Sequence, residues 1–241
     1  MPETMSISTP DGAFEAYVAT PEANSGPWPG VVVIQEIFGV NDVVRTAANR
    51  LAGAGFLAVA PDLFWRQEPG VQLTDKTEEE WARGFALMKG FDFDKGMEDI
   101  QTTVTAVRND PRCTGKVATV GYCLGGQLAY LASTRTDVDA SVGYYGVGLE
   151  GLMGEKHAIA RPLLLHIAGA DHFVGPDQQR AIHEGLDDHP KVTLHDYQGL
   201  DHGFATEIGA RRNEEGAELA DSRTAAFFAE NLGLVPGQVV E

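Results

Sequence analysis

The chain has 241 residues, of which 43% are hydrophobic and 22% charged, a balance suited to one globular domain spanning 1–241 with a full apolar core. Asp and Glu number 35 against 18 Lys and Arg, and the formal charge of -17 works against nucleic acid or an anionic membrane surface as partner. The opening MPETMSISTPDG lacks the apolar core of a signal peptide, and no stretch has the ~20 apolar residues of a membrane helix.

In chain order, residues 5–20 alternate about a Pro-Asp-Gly turn and predict a β-hairpin. EANSGPWPG (22–30) reads as a loop, and GVVVIQEIFG (30–39) has the continuous apolar run of a strand covered on both faces. DVVRTAANRLAGAG (42–55) has helical period, and FLAVAPDLF (56–64) returns to strand. Two helices are predicted over 75–90 and 94–109, then strand 116–122, helix 124–135, and strands 139–145 and 162–168. Helix 176–187, strand 191–197 and a closing helix near 214–231 complete the series. Strands alternating with helices imply crossover connections, a mostly parallel sheet and helices on both of its faces. Chemistry in such sheets gathers beyond the carboxyl ends of the strands.

The two cysteines are Cys113 and Cys123. A strand over 116–122 separates their sulfurs by roughly 20 Å at ~3.3 Å per residue, whereas a disulfide needs Cα atoms within about 7 Å. No bridge is expected between them, which favours a reducing, cytoplasmic setting.

GYCLGG (121–126) places Cys123 between Gly121 and Gly125, after an apolar strand and before a helix. A nucleophile on a sharp strand-to-helix turn needs small neighbours on either side. The helix start brings free N–H groups and a positive dipole end, expected to lower the thiol pKa, with the Leu124 N–H as first oxyanion donor. A packed core thiol beside helix-packing glycines is the competing reading. In the α/β-hydrolase architecture an acid and then a His follow the nucleophile. PLLLHIAGADHFV (162–174) carries Asp171 just past a strand, and VTLHDYQGLDHGFA (192–205) carries His202 in the loop after another. His172 and Asp201, adjacent to these, are rival choices, and no His-x-x-x-His or Cys-x-x-Cys spacing supports a metal. Glu36 interrupts an apolar run, where an unpaired buried carboxylate would be costly. It is either a surface acid past the strand or a carboxylate aimed at the thiol, with the Ile37 N–H as second oxyanion donor.

Taken together, QEIFGVN (35–41), GYCLGG (121–126), GYYGVGLE (143–150), AGADHFV (168–174) and DHGFA (201–205) resemble the dienelactone hydrolase, or carboxymethylenebutenolidase, family over nearly the whole chain. The resemblance implies an α/β-hydrolase fold and Cys123 as nucleophile, His202 as base and acid, and Asp171 as its orienting partner. It implies that Glu36 contacts the resting thiol and shifts when substrate arrives, and that the Leu124 and Ile37 amides form the oxyanion hole. It further implies a monomeric, cytosolic enzyme with no metal or organic cofactor, acting on a small-molecule ester or lactone.

Where characterised members place two arginines against a substrate carboxylate, this sequence has Trp81 and Thr206, and Phe85 stands in place of a tyrosine. Arg83 lies two positions from the first site, about 200° around a helix. The expectation is therefore a neutral or less acidic ester. Trp81, Phe85, Phe38, Tyr145, Phe173 and Thr206 are the candidate pocket residues, and each aromatic reads equally as core. The alternatives are a non-catalytic ligand-binding protein on the same scaffold and a thiol redox sensor.

Overall fold

The computed structural model describes residues 3–22 and 26–233; most of the predicted loop at 22–30 is included, and its residues 23–25 lie outside the described set. The hairpin is β1 (Glu3–Thr9) and β2 (Gly12–Ala19), followed by β3 (Trp28–Ile34), α1 (Asp42–Gly53) and β4 (Leu57–Pro61). Then come α2 (Glu78–Lys89), α3 (Phe93–Asn109), β5 (Cys113–Tyr122), α4 (Leu124–Arg135) and β6 (Ala140–Tyr144). The chain continues through β7 (Leu163–Ala168), α5 (Pro176–Leu186), β8 (Val192–Tyr197) and α6 (Glu214–Leu232). Each predicted strand and helix is present. A 3-10 segment, Leu149–Ala158, lies between β6 and β7 where no element was expected.

The eight strands among the described residues form one sheet in the order β1-β2-β4-β3-β5-β6-β7-β8. The β1–β2 and β2–β4 pairings are antiparallel, and β3 to β8 run parallel with β4. Side chains of β3 alternate between two cores, as a period of two requires. Val32 and Ile34 face α3 and α4, while Val31 and Val33 face α1 and α6. Both sheet faces are thus covered, which explains why β3 reads as an unbroken apolar run.

Helix starts follow local chemistry. Asn41, Thr77 and Asp92 side chains accept main-chain N–H groups at the first turns of α1, α2 and α3. By contrast, α4 begins at Cys123 with no side-chain cap, so its first amides lack a capping partner at the carboxyl end of the central strand β5. Among the described residues no helix is long and apolar enough to cross a membrane.

Candidate active site

Five neighbouring parallel strands deliver the site. Glu36 and Ile37 follow β3, Cys123 follows β5, Tyr145 follows β6, Asp171 follows β7 and His202 follows β8. Cys123 has φ 57° and ψ -114°, a conformation that L side chains rarely adopt. The surrounding glycines are there for lack of space. A Cβ on Gly121 would lie 1.9 Å from the Gly125 carbonyl oxygen, and one on Gly125 would lie 2.4 Å from that of Ile34. Gly121 is closed off by the turn's own backbone and Gly125 by the backbone at the end of β3, so only hydrogen fits at either position.

His202 Nδ1 donates to Asp171 Oδ2 at 2.9 Å, and both side chains are buried. The carboxylate accepts, so the ring proton sits on Nδ1 and leaves Nε2 with a free lone pair. The other oxygen of Asp171 accepts the N–H groups of Phe173 at 2.8 Å and Val174 at 3.1 Å, which fix the carboxylate. Tyr145 and Phe173 pack edge-on against the imidazole, with ring centroids 4.9 and 4.8 Å away. The rival pair is elsewhere engaged. His172 and Asp201 bond each other at 2.7 Å in exposed positions. They form, with Asp171, the one group of metal-ligand type among the described residues, but Asp171 is already taken by His202 and two amides.

Cys123, His202 and Glu36 line one cavity of about 150 Å³, together with Ile37, Trp81 and Arg211. No hydrogen bond joins the Cys123 sulfur to His202 or Glu36; the three share only the cavity wall. Burial pushes the Cys123 thiol well above its ordinary pKa, and the Glu36 charge pushes it further, against smaller opposing effects of the Leu124 N–H and Arg211. The helix start therefore acts in the expected direction but loses to desolvation, so the expectation of a lowered thiol pKa is corrected. Both causes favour the protonated thiol in the resting site. The Leu124 N–H opens α4, where the helix supplies it no acceptor, and the Ile37 N–H has no partner among the described residues.

Glu36 is buried, and among the described residues its Oε1 has no hydrogen-bond partner; nor do the hydroxyls of Tyr122 and Tyr145 nearby. These three residues line a second, smaller space behind Glu36. On the other side, Arg211 Nη2 stands 3.8 Å from Glu36 Oε2. Sequence reasoning missed Arg211, which comes nine positions after His202 in a loop that folds back over the site.

Of the candidate pocket residues, Trp81, Phe85, Phe38 and Phe173 share the cavity wall with Cys123. Trp81 packs at 4.9 Å against Phe38, 5.6 Å against Phe85 and 6.4 Å against Phe173. Two do not belong there. Thr206 is buried behind Glu36 and donates its hydroxyl to the Ile208 carbonyl at 3.2 Å, stapling its own turn. Tyr145 lies beneath the imidazole and faces the smaller space. Arg83 points away and pairs with Glu68. Cys113 and Cys123 are both free thiols, as expected, and Cys113 sits at the opposite end of β5.

The family model for the dienelactone hydrolase family matches residues 14–232. The chain belongs to that family. An Azospirillum brasilense protein bearing the carboxymethylenebutenolidase name is 52% identical over 92% of this chain and 96% of its own length. The Pseudomonas putida carboxymethylenebutenolidase is 38% identical over 94% of this chain and 96% of its own. A crystal structure described as a dienelactone hydrolase from Klebsiella pneumoniae superposes with a TM-score of 0.83 at 26% identity, covering 95% of this chain and 98% of that one. This dienelactone hydrolase family member thus has the α/β-hydrolase fold and is a hydrolase.

Proposed function

We propose that the protein hydrolyses carboxylic esters or lactones through a thioester on Cys123, favouring substrates without a carboxylate. The observation that carries this reading is the meeting of Cys123, His202 and Glu36 in one apolar cavity, with Asp171 behind the imidazole.

Substrate displaces water from the cavity, and Glu36 turns toward Arg211, so that its charge no longer disfavours an anion at sulfur. The thiol proton passes to His202 Nε2, and the imidazolium is held by Asp171. The thiolate attacks the carbonyl carbon, and the oxyanion forms between the Leu124 and Ile37 N–H groups. Collapse breaks the ester C–O bond, and the departing alkoxide or enolate takes the proton from His202. Water then attacks the thioester as His202, again neutral, removes its proton. The acid departs, and the Cys123 sulfur leaves as thiolate and recovers a proton.

The neutral preference is supported by the aromatic wall of Trp81, Phe85, Phe38 and Phe173. The sequence argument for it assumed a pocket with no arginine, and that premise is corrected by Arg211. Its charge, however, is opposed by two carboxylates, Glu36 at 3.8 Å and Asp75 at 3.2 Å. The test is hydrolysis of a neutral aryl ester and a neutral unsaturated lactone by the parent and by Cys123→Ala, with mass spectrometry of a quenched reaction. An acyl adduct on Cys123 and loss of turnover in the variant are expected; turnover retained by Cys123→Ala would overturn the mechanism.

A further inference from the structure

Arg211 stands in the wall between two spaces. Inward is the Cys123 cavity; outward is a groove of about 180 Å³ lined by Asp75, Lys76, Thr74 and Asn41, and both spaces share Glu36, Phe38 and Arg211. The guanidinium lies 5.8 Å from the centre of the Trp81 ring. It also fills the space beside the residue after His202: a Cβ on Gly203 would meet Arg211 Nη1 at 2.4 Å. Any ligand passing from the groove to Cys123 moves along this group.

Arg211 Nε donates to Asp75 Oδ2 at 3.2 Å, whereas the Glu36 contact, at 3.8 Å, is too long for a hydrogen bond. Asp75 is therefore the partner that occupies the hydrogen-bonding edge of the guanidinium. It is held there from both sides. Its carbonyl accepts Trp81 Nε1 at 3.0 Å, fixing the segment before α2 to the pocket wall, and Gly209 of the opposite loop packs close to its carboxylate.

Resting on the ester-hydrolase reading above, we propose that Asp75 is a specificity-determining residue: by occupying Arg211 it denies that cation to carboxylate-bearing ligands and keeps the site selective for neutral ones. The guanidinium thus stands between two carboxylates, Asp75 at 3.2 Å and Glu36 at 3.8 Å. A third carboxylate must displace Asp75 to take the Nε edge of this guanidinium. With Asp75 replaced by an isosteric amide, Arg211 Nε faces at most a neutral amide oxygen, a weaker partner that a charged bidentate carboxylate can displace. The Trp81 anchor is a main-chain carbonyl and survives the substitution.

The experiment compares phenylacetate with its neutral isostere phenylacetamide by calorimetric titration of the full chain, in the parent, Asp75→Asn and Asp75→Asn/Arg211→Leu. Asp75→Asn is expected to shift the affinity ratio toward phenylacetate by about tenfold, and the double variant to lose that shift. The proposal is overturned by an unchanged ratio in Asp75→Asn, by no binding of phenylacetate to that variant, or by a shift that survives loss of Arg211. Because the titration needs no turnover, a tenfold shift in a protein that cleaves neither ester nor lactone would sink the proposed function and leave the role of Asp75 standing.

Discussion

Asp171 and His202 meet through a 2.9 Å hydrogen bond between two buried side chains 31 residues apart in sequence. The bond fixes the imidazole tautomer, because a carboxylate can only accept. Asp171→Asn can still accept from the Phe173 and Val174 amides through one oxygen, but it presents an amide where the ring N–H needs an acceptor. The ring then turns its proton to Nε2, the position that must receive one. Ester turnover is expected to fall by about 10³- to 10⁴-fold, with little change in the melting temperature. A loss of less than tenfold in steady-state kinetics would show that the pair does not govern the reaction.

The backbone at Cys123 stores strain that can be read without any substrate. A non-glycine residue at φ 57°, ψ -114° costs on the order of 1–3 kcal/mol. Both Cys123→Gly and Cys123→Ala remove the thiol, but only glycine relaxes the turn. Denaturant unfolding should therefore find Cys123→Gly more stable than Cys123→Ala by about 1 kcal/mol, the entropic penalty of glycine having reduced the gain. The reverse order would mean that the turn is unstrained.

Much of this was legible from residue order. Each strand carries β-branched or apolar runs ending in a turn, and the glycines at 121 and 125 mark a turn that admits no side chain. Asp171 and His202 were found because a strand end locates them without knowledge of distant contacts. Arg211 was not, because its position depends on a loop returning to Asp75, 136 residues earlier in the chain. Thr206 misled for the same reason: spacing from His202 counts residues, whereas the turn directs its hydroxyl to Ile208. The thiol pKa was misjudged because a helix start is visible in sequence and the density of atoms around sulfur is not.

The loop bearing Thr206 and Arg211 is tied to the scaffold by Arg50 of α1. Its guanidinium bonds Glu207 at 2.7 Å and Asp221 of α6 at 3.1 Å, and Asp221 also accepts from the Tyr144 hydroxyl at 2.9 Å. Burial raises the Asp221 pKa, with Arg50 the main opposing influence. Arg50→Ala leaves two largely buried carboxylates facing each other. The cost is expected near the lower end of the ~3–5 kcal/mol typical of a broken buried pair, since a third of Arg50 is exposed. Thermal unfolding should show a fall of roughly 6–10 °C for a chain of this size, and Arg50→Ala/Asp221→Asn should recover part of it. Equal melting temperatures for Arg50→Ala and the parent would refute the tie.

Glu36 is expected to govern how readily Cys123 ionises. Burial raises the thiol pKa first and the Glu36 charge raises it second. Replacing Glu36 by Gln removes the second cause alone, so the pKa falls but stays above that of a free cysteine, about 8.5. At a pH below both values, a fall of one unit multiplies the thiolate fraction by about ten. Iodoacetamide alkylation reports that fraction directly when Cys113 is replaced by serine in both proteins, leaving one reactive thiol. The rate in Glu36→Gln should be higher near neutral pH by the same factor as the thiolate fraction, and its rate–pH profile should shift to lower pH. An unmoved profile would show that carboxylate and sulfur are electrostatically independent, and the Glu36 step of the mechanism would fall with it.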